Sequence, residues 1–178
     1  EEEVRSSPLI YNGILYVGAY DNNLYALDAQ TGKFLWKFPT QRGICSTACA
    51  WDRFVAFGSE DGSVYALNAQ SGQSQWTARL GGPVRSSPRV LQDVMYVGSD
   101  DQSIYALDPR NGDQLWPYRN WGPVRSSAAL AGGSLFFGSD DGHVYALEAR
   151  RGEQQWKTRT GQAVISSPLP STLGLVIP

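Results

Sequence analysis

The sequence predicts an all-β protein, a β-propeller of four-stranded antiparallel blades with four full repeats of 40 residues and a partial fifth. Two observations carry this reading. Trp36, Trp76, Trp116 and Trp156 fall in register at a spacing of 40, as do Gly18, Gly58, Gly98 and Gly138, and Tyr25, Tyr65, Tyr105 and Tyr145 within Tyr-Ala-Leu triplets. The segments between turns are strand-like throughout, and a strand-only period of about 40 to 45 residues is that of propeller blades. No insertion breaks the register. One blade cannot bury its own faces and must stack on its neighbours.

Within a single domain spanning 1–178, the blades are residues 4–43, 44–83, 84–123 and 124–163, with a partial blade at 164–178. Four repeats and a stub fit a closed ring poorly. We therefore expect part of a seven- or eight-bladed ring, or a half-ring that closes against another chain.

The first blade sets the pattern. A first strand is expected over residues 4–10, a turn at Tyr11-Asn12-Gly13 and a second strand over 14–18. Asp21-Asn22 forms a tight turn, whose equivalents are Asp61-Gly62, Asp101-Gln102 and Asp141-Gly142. Asp-Gly is a strong hairpin signal. The third strand runs over 24–28, and Gln30-Thr31-Gly32 turns into an outer strand at 34–38. The second strands are almost wholly apolar, which requires cover on both sheet faces.

Composition agrees. Apolar residues make up 42% and aromatics 12% of the 178 residues, ample for a core. A net charge of −2 implies no general affinity for nucleic acid. No run of 18 apolar residues exists, so no membrane span is expected.

A second, finer pattern lies within each repeat. Ala26, Asp28, Gly32 and Trp36 recur as Ala66, Asn68, Gly72 and Trp76, then as Ala106, Asp108, Gly112 and Trp116, and as Ala146, Glu148, Gly152 and Trp156. Gly permits a left-handed turn, Asp or Asn bonds back onto the turn, and Ala leaves room for the indole of the next blade to lie flat. This resembles the tryptophan-docking motif of quinoprotein-type propellers, Ala-x-Asp-x-x-Thr-Gly-x-x-x-Trp. The phrases VRSSP, YVGSDD and LYALDA are similar to the pyrroloquinoline-quinone-like repeat, and the resemblance covers residues 4–168. Asn68, Glu148, Ser71, Asn111 and Arg151 depart from the motif mildly.

The resemblance raises the question of a cofactor. Family enzymes hold the quinone between a Trp and two adjacent cysteines, with calcium and a catalytic Asp nearby. Here Cys45 and Cys49 are four apart on an expected first strand, on one face and roughly 13 Å apart. That separation forbids a disulfide and does not suit a zinc knuckle. We read them as small buried fillers and expect no cofactor, with quinone and calcium as the alternative.

Catalytic candidates are few. His143, the single histidine, sits in a hairpin turn where other repeats carry Asn23, Ser63 and Ser103. The pairs Ser6-Ser7, Ser86-Ser87, Ser126-Ser127 and Ser166-Ser167 lack a base, and we read them as small residues near a crowded axis. The acidic pairs Glu60-Asp61, Asp100-Asp101 and Asp140-Asp141 lack the alternating spacing of a calcium loop. No catalytic residue and no metal ligand is assigned.

Binding candidates remain. Arg5, Arg85 and Arg125 share one place in three first strands, where they would form a partial ring of positive charge, either ion-paired from blade to blade or open to a carboxylate or an acidic peptide. Arg79, Arg119 and Arg159 form a second set, expected beside the acidic hairpin turns in blade-to-blade ion pairs. Trp121 is singular and lies between Arg119 and Arg125; it either anchors an interface or packs against the neighbouring loop. Trp51, also singular, reads as local packing.

Family members without cofactor include an outer-membrane assembly lipoprotein of the bacterial periplasm and sensor regions of bacterial serine/threonine kinases. The resemblance thus implies a non-catalytic module that binds a protein or peptide on one ring face, in a bacterial extracytoplasmic setting. A quinone- and calcium-dependent dehydrogenase segment is one alternative. A structural oligomer, self-associating through open blade edges, is the other.

Overall fold

The computed structural model of the chain describes residues 4–171 and 174–176. Four antiparallel sheets follow one another along the sequence. The first holds β1 (Leu9–Tyr11), β2 (Ile14–Gly18), β3 (Asn23–Asp28) and β4 (Phe34–Pro39), and the second β5 (Cys49–Trp51), β6 (Phe54–Gly58), β7 (Ser63–Asn68) and β8 (Ser74–Arg79). The third holds β9 (Arg89–Leu91), β10 (Val94–Ser99), β11 (Ser103–Leu107) and β12 (Gln114–Arg119). The fourth holds β13 (Ala129–Ala131), β14 (Ser134–Ser139), β15 (His143–Glu148) and β16 (Gln154–Arg159). A two-stranded sheet, β17 (Leu169–Ser171) and β18 (Gly174–Val176), follows. Strand order within each sheet is sequential, as in an up-and-down propeller blade. The first strands of neighbouring sheets approach each other (β5 with β9, β13 with β17) and mark the inner edge.

The first strand is shorter than the sequence predicts: residues 4–8 are not strand. The physical reason is a side chain acting as backbone. Ser6 Oγ accepts from Gly18 N at 2.8 Å and donates to Gly18 O at 2.9 Å. Ser46 does the same to Gly58, Ser86 to Gly98 and Ser126 to Gly138. One hydroxyl thus satisfies both polar groups at the end of the second strand. The second residue of each pair reaches the next sheet instead. Thr47 N donates to Ser87 Oγ, Ser87 N to Ser127 Oγ and Ser127 N to Ser167 Oγ, all at 2.9–3.0 Å. The serines are therefore hydrogen-bonding parts, beyond being small.

The core lies between sheets, never within one. Tyr16, Leu24 and Ala26 pack on Ile44, Val55 and Phe57; Val64 and Trp76 pack on Val84, Met95 and Val97; Ile104 and Trp116 pack on Val124, Leu135 and Phe137. The recurring glycines at the end of the second strands make this approach possible. A Cβ on Gly18, Gly58, Gly98 or Gly138 would meet the side chain of Ile44, Val84, Val124 or Val164 at 2.2–2.5 Å.

The tryptophans dock across the same boundaries. A Cβ on Gly72, Gly112 or Gly152 would stand 2.6–2.7 Å from the indole of Trp36, Trp76 or Trp116. Each indole therefore lies on the turn glycine of the following blade. The motif alanine is its cross-strand neighbour in its own blade, Ala26 opposite Trp36, rather than the residue that receives a neighbour's ring. A donor exchange accompanies the docking. Trp76 Nε1 donates to Pro109 O at 3.0 Å. Where blade two has Ala56, blades one and three have Tyr16 and Tyr96, whose hydroxyls take the equivalent carbonyls of Ala69 and Ala149. Trp36 Nε1 and Trp116 Nε1 are then left without a partner among the described residues.

No helix of the described residues is long and apolar enough to cross a membrane.

Candidate functional site

The loops joining successive blades and the hairpins between second and third strands share one face. Leu80 N donates to Gly62 O and Asn120 N to Gln102 O, which holds each loop against a hairpin. The hairpin position that needs a left-handed residue is Asn22, Gly62, Gln102 or Gly142, with φ of 69°, 89°, 74° and 79°.

The acidic pairs on this face divide their work. Their second members tie the hairpins together. Asp61 Oδ2 accepts from Tyr65 Oη at 2.8 Å, Asp101 Oδ2 from Tyr105 at 2.6 Å and Asp141 Oδ2 from Tyr145 at 2.5 Å. Asp21 takes Tyr25 in the same way. The same oxygens accept an amide from the preceding loop: Gln41 N on Asp61, Gly81 N on Asp101 and Trp121 N on Asp141. Burial pushes the Asp141 carboxyl up, but hydrogen bonds from Tyr145, Ser139, Trp121 and His143 outweigh it and hold it below the ordinary range. His143 stays in this knot, with Nδ1 3.2 Å from Asp141 O.

Tyrosine hydroxyls and loop amides therefore do what the second arginine set was expected to do. Among the described residues Arg79, Arg119 and Arg159 form no ion pair with these aspartates, and all three are exposed.

The first members of the acidic pairs meet the inner arginines. Arg85 donates through Nε to Glu60 Oε1 at 2.9 Å and through Nη1 to Asp100 Oδ2. Arg125 donates through Nε to Asp100 Oδ1 at 3.0 Å and pairs through Nη1 with Asp140 Oδ2 at 2.9 Å. Arg5 lies over the Tyr20 ring, 4.9 Å from its centroid, and Tyr20 Oη donates to Glu60 Oε1 at 3.1 Å. Of the two alternatives the ion-paired one holds: the inner arginines stand in a line of alternating sign, Glu60–Arg85–Asp100–Arg125–Asp140. The carboxylates come from the second-to-third hairpins of the same and the preceding blade, not from the arginines' own strands.

Two places depart from the alternation. Cys45 stands where Arg85 and Arg125 stand in later blades. Its Sγ lies 4.0 Å from Glu60 Oε1, off β5, so it is neither on the same strand as Cys49 nor an apolar filler. Burial, with Glu60 adding to it, pushes its thiol up, and burial takes Cys49 up to about 12, which leaves neither poised as a thiolate nucleophile. Both thiols are free. At the other end Ile165 replaces arginine, so among the described residues Arg125 is the one ion-pair partner of Asp140. Its Oδ1 is buried without a partner among the described residues, and burial raises its carboxyl above the ordinary range.

Trp121 stands apart. Its indole is 81% exposed at the tip of the loop between blades three and four, while its backbone amide anchors on Asp141. Arg119 and Arg125 flank it in sequence and are also exposed. Trp51, by contrast, stacks on Phe54 with ring centroids 6.0 Å apart. No group of three or more His, Cys, Asp or Glu among the described residues could hold a metal ion.

Sheets stacked through indole-on-glycine docking, with loops and charges gathered on one face, define a β-propeller of the PQQ-like repeat class. The chain belongs to the family described as outer membrane protein assembly factor BamB, whose sequence profile matches residues 1–49 and 43–163. Among solved structures, BamB from Moraxella catarrhalis superposes with a TM-score of 0.82 at 18% identity, over 93% of this chain and 55% of that one. This likeness is one of fold, and the chain spans about half the length of that protein. No curated protein matches the chain.

Proposed function

We propose that the chain is a non-catalytic interaction module that binds a protein or peptide partner on the face carrying Trp121, Arg119 and the Arg5, Arg85 and Arg125 line. The exposed Trp121 indole carries this reading, because aromatic and arginine side chains together anchor protein interfaces. The alternating charges beside it favour a partner with complementary charges of both signs, since a fixed pattern gives register and rejects wrong partners. The family's description, an outer membrane protein assembly factor, makes a protein of that machinery the expected class of partner. The reading needs no quinone and no calcium. Its support is that Cys45 and Cys49 are not adjacent and that neither thiol is activated. A peptide library selected on the protein and rescreened on Trp121→Ala and Arg119→Ala tests it. Selected peptides should lose about tenfold or more in affinity on either variant; equal binding would overturn the proposal.

A further inference from the structure

The inner strands carry a feature unrelated to that face. Four residues beyond Arg85 lies Arg89, on β9, where the other repeats have Leu9, Cys49, Ala129 and Leu169. It is the one charged residue at that register position, and it is exposed. Among the described residues no carboxylate pairs with it.

Arg89 shares the wall of a cavity of about 510 Å³ with Thr47, Ser87 and Ser127. Volumes of roughly 300–1,000 Å³ suit small ligands. The hydroxyls there are already spoken for as acceptors, since Ser7 N, Thr47 N and Ser87 N donate to Thr47 Oγ1, Ser87 Oγ and Ser127 Oγ. A hydroxyl carries one donor besides its acceptor sites. Among the described residues none of these three donates its proton. The cavity therefore offers a guanidinium and a row of unspent O–H donors, with no Asp or Glu among the described residues of its wall. Leu9 and Leu91 supply apolar wall.

We propose that this inner cavity binds a carboxylate borne on a short aliphatic group, with Arg89 as the charge partner and the Thr47, Ser87 and Ser127 hydroxyls as donors. The chemistry is that of a small monocarboxylate or of a peptide C-terminus. An anion gains from both the cation and the hydroxyl donors, and among the described residues the wall holds no carboxylate to favour a cation. The site shares no residue with the Arg85–Asp100–Arg125 line.

The test is calorimetric titration of the wild-type protein and Arg89→Gln. The probes are butyrate, butyramide, and a leucine-ended tetrapeptide with a free or an amidated C-terminus. Neutral residues at the equivalent positions indicate that Arg89→Gln folds, and circular dichroism checks this. Saturable binding of butyrate or the free-acid peptide is expected, weakened about tenfold or more by amidation and by Arg89→Gln. Whichever acid binds more tightly identifies the source of the carboxylate. No saturable binding of either acid, or binding equal for acid and amide, or unchanged in Arg89→Gln, would overturn the proposal.

Discussion

The indole of Trp76 lies so close over Gly112 that a Cβ on the glycine would stand 2.6 Å from Trp76 Cε3. Gly112 also has φ of 78°. Gly112→Ala should therefore cost about 3 kcal/mol, from left-handed strain and the displaced ring together. Gly32→Ala shares the strain, with φ of 70°, but meets no ring, and should cost about 1 kcal/mol. Urea denaturation of the two variants measures the difference, which is the docking contribution. Equal losses would show that the indole yields.

The paired serines should separate cleanly. Ser86→Ala removes the hydroxyl that both the amide and the carbonyl of Gly98 bond, buried groups, and should cost about 2 kcal/mol. Ser87→Ala removes one acceptor for Thr47 N at a half-buried site and should cost less than about 1 kcal/mol. Thermal melts of the two single variants decide the order.

Tyr96→Phe should be mild, because a second donor is waiting. With the Tyr96 hydroxyl gone from Ala149 O, the unpartnered Trp116 Nε1 should take that carbonyl, by analogy with Trp76 Nε1 on Pro109 O beside Ala56. The expected loss is under about 1 kcal/mol. The Trp116 indole proton should move downfield and exchange more slowly in NMR spectra; an unchanged resonance would contradict the exchange of donors.

Adjacent carboxyls should titrate in opposite directions. Burial raises Asp140 above 3.8, whereas Asp141, despite burial, is held below 3.8 by its hydrogen bonds. Asp141 then adds stability above its ordinary value, and that part is lost as pH falls through its depressed pKa. Asp140 has the reverse sign: its contribution is present below the ordinary value and is lost as pH rises through its raised pKa. Carboxyl-carbon NMR titration, with Asp140→Asn and Asp141→Asn as assignments, checks both directions.

Much of the architecture was legible in the sequence because a period of 40 survives any local ambiguity. The tryptophans, the turn glycines and the apolar second strands each repeat it. The shortened first strand was not legible, since serine at the strand start reads as ordinary strand until its hydroxyl is seen bridging Gly18 N and O. The charged line was half legible. Arg85 and Arg125 stood out by register, but their partners lie 15 residues ahead and 25 behind, on hairpins, and no strand-by-strand reading joins them. The acidic pairs were visible, yet treating each as one unit hid that Asp100 faces arginine while Asp101 faces tyrosine. Trp121 was singled out by being unlike Gln41, Gly81 and Gly161. Arg89 carried the same kind of signal, a charge against Leu9, Cys49 and Ala129, but the register comparison of the first strands centred on Arg5, Arg85 and Arg125 four residues earlier.

Because each apolar cluster belongs to two adjacent sheets, none of the sheets owns a stability of its own. The free energy resides at the boundaries, like couplings in a one-dimensional chain. A lesion at one boundary, such as loss of the Trp36 indole from Gly72, weakens a single coupling and leaves the next intact. Unfolding should then spread from the weakest boundary with a cooperative length of two sheets, so that hydrogen exchange reports damage by neighbourhood and not over the whole molecule.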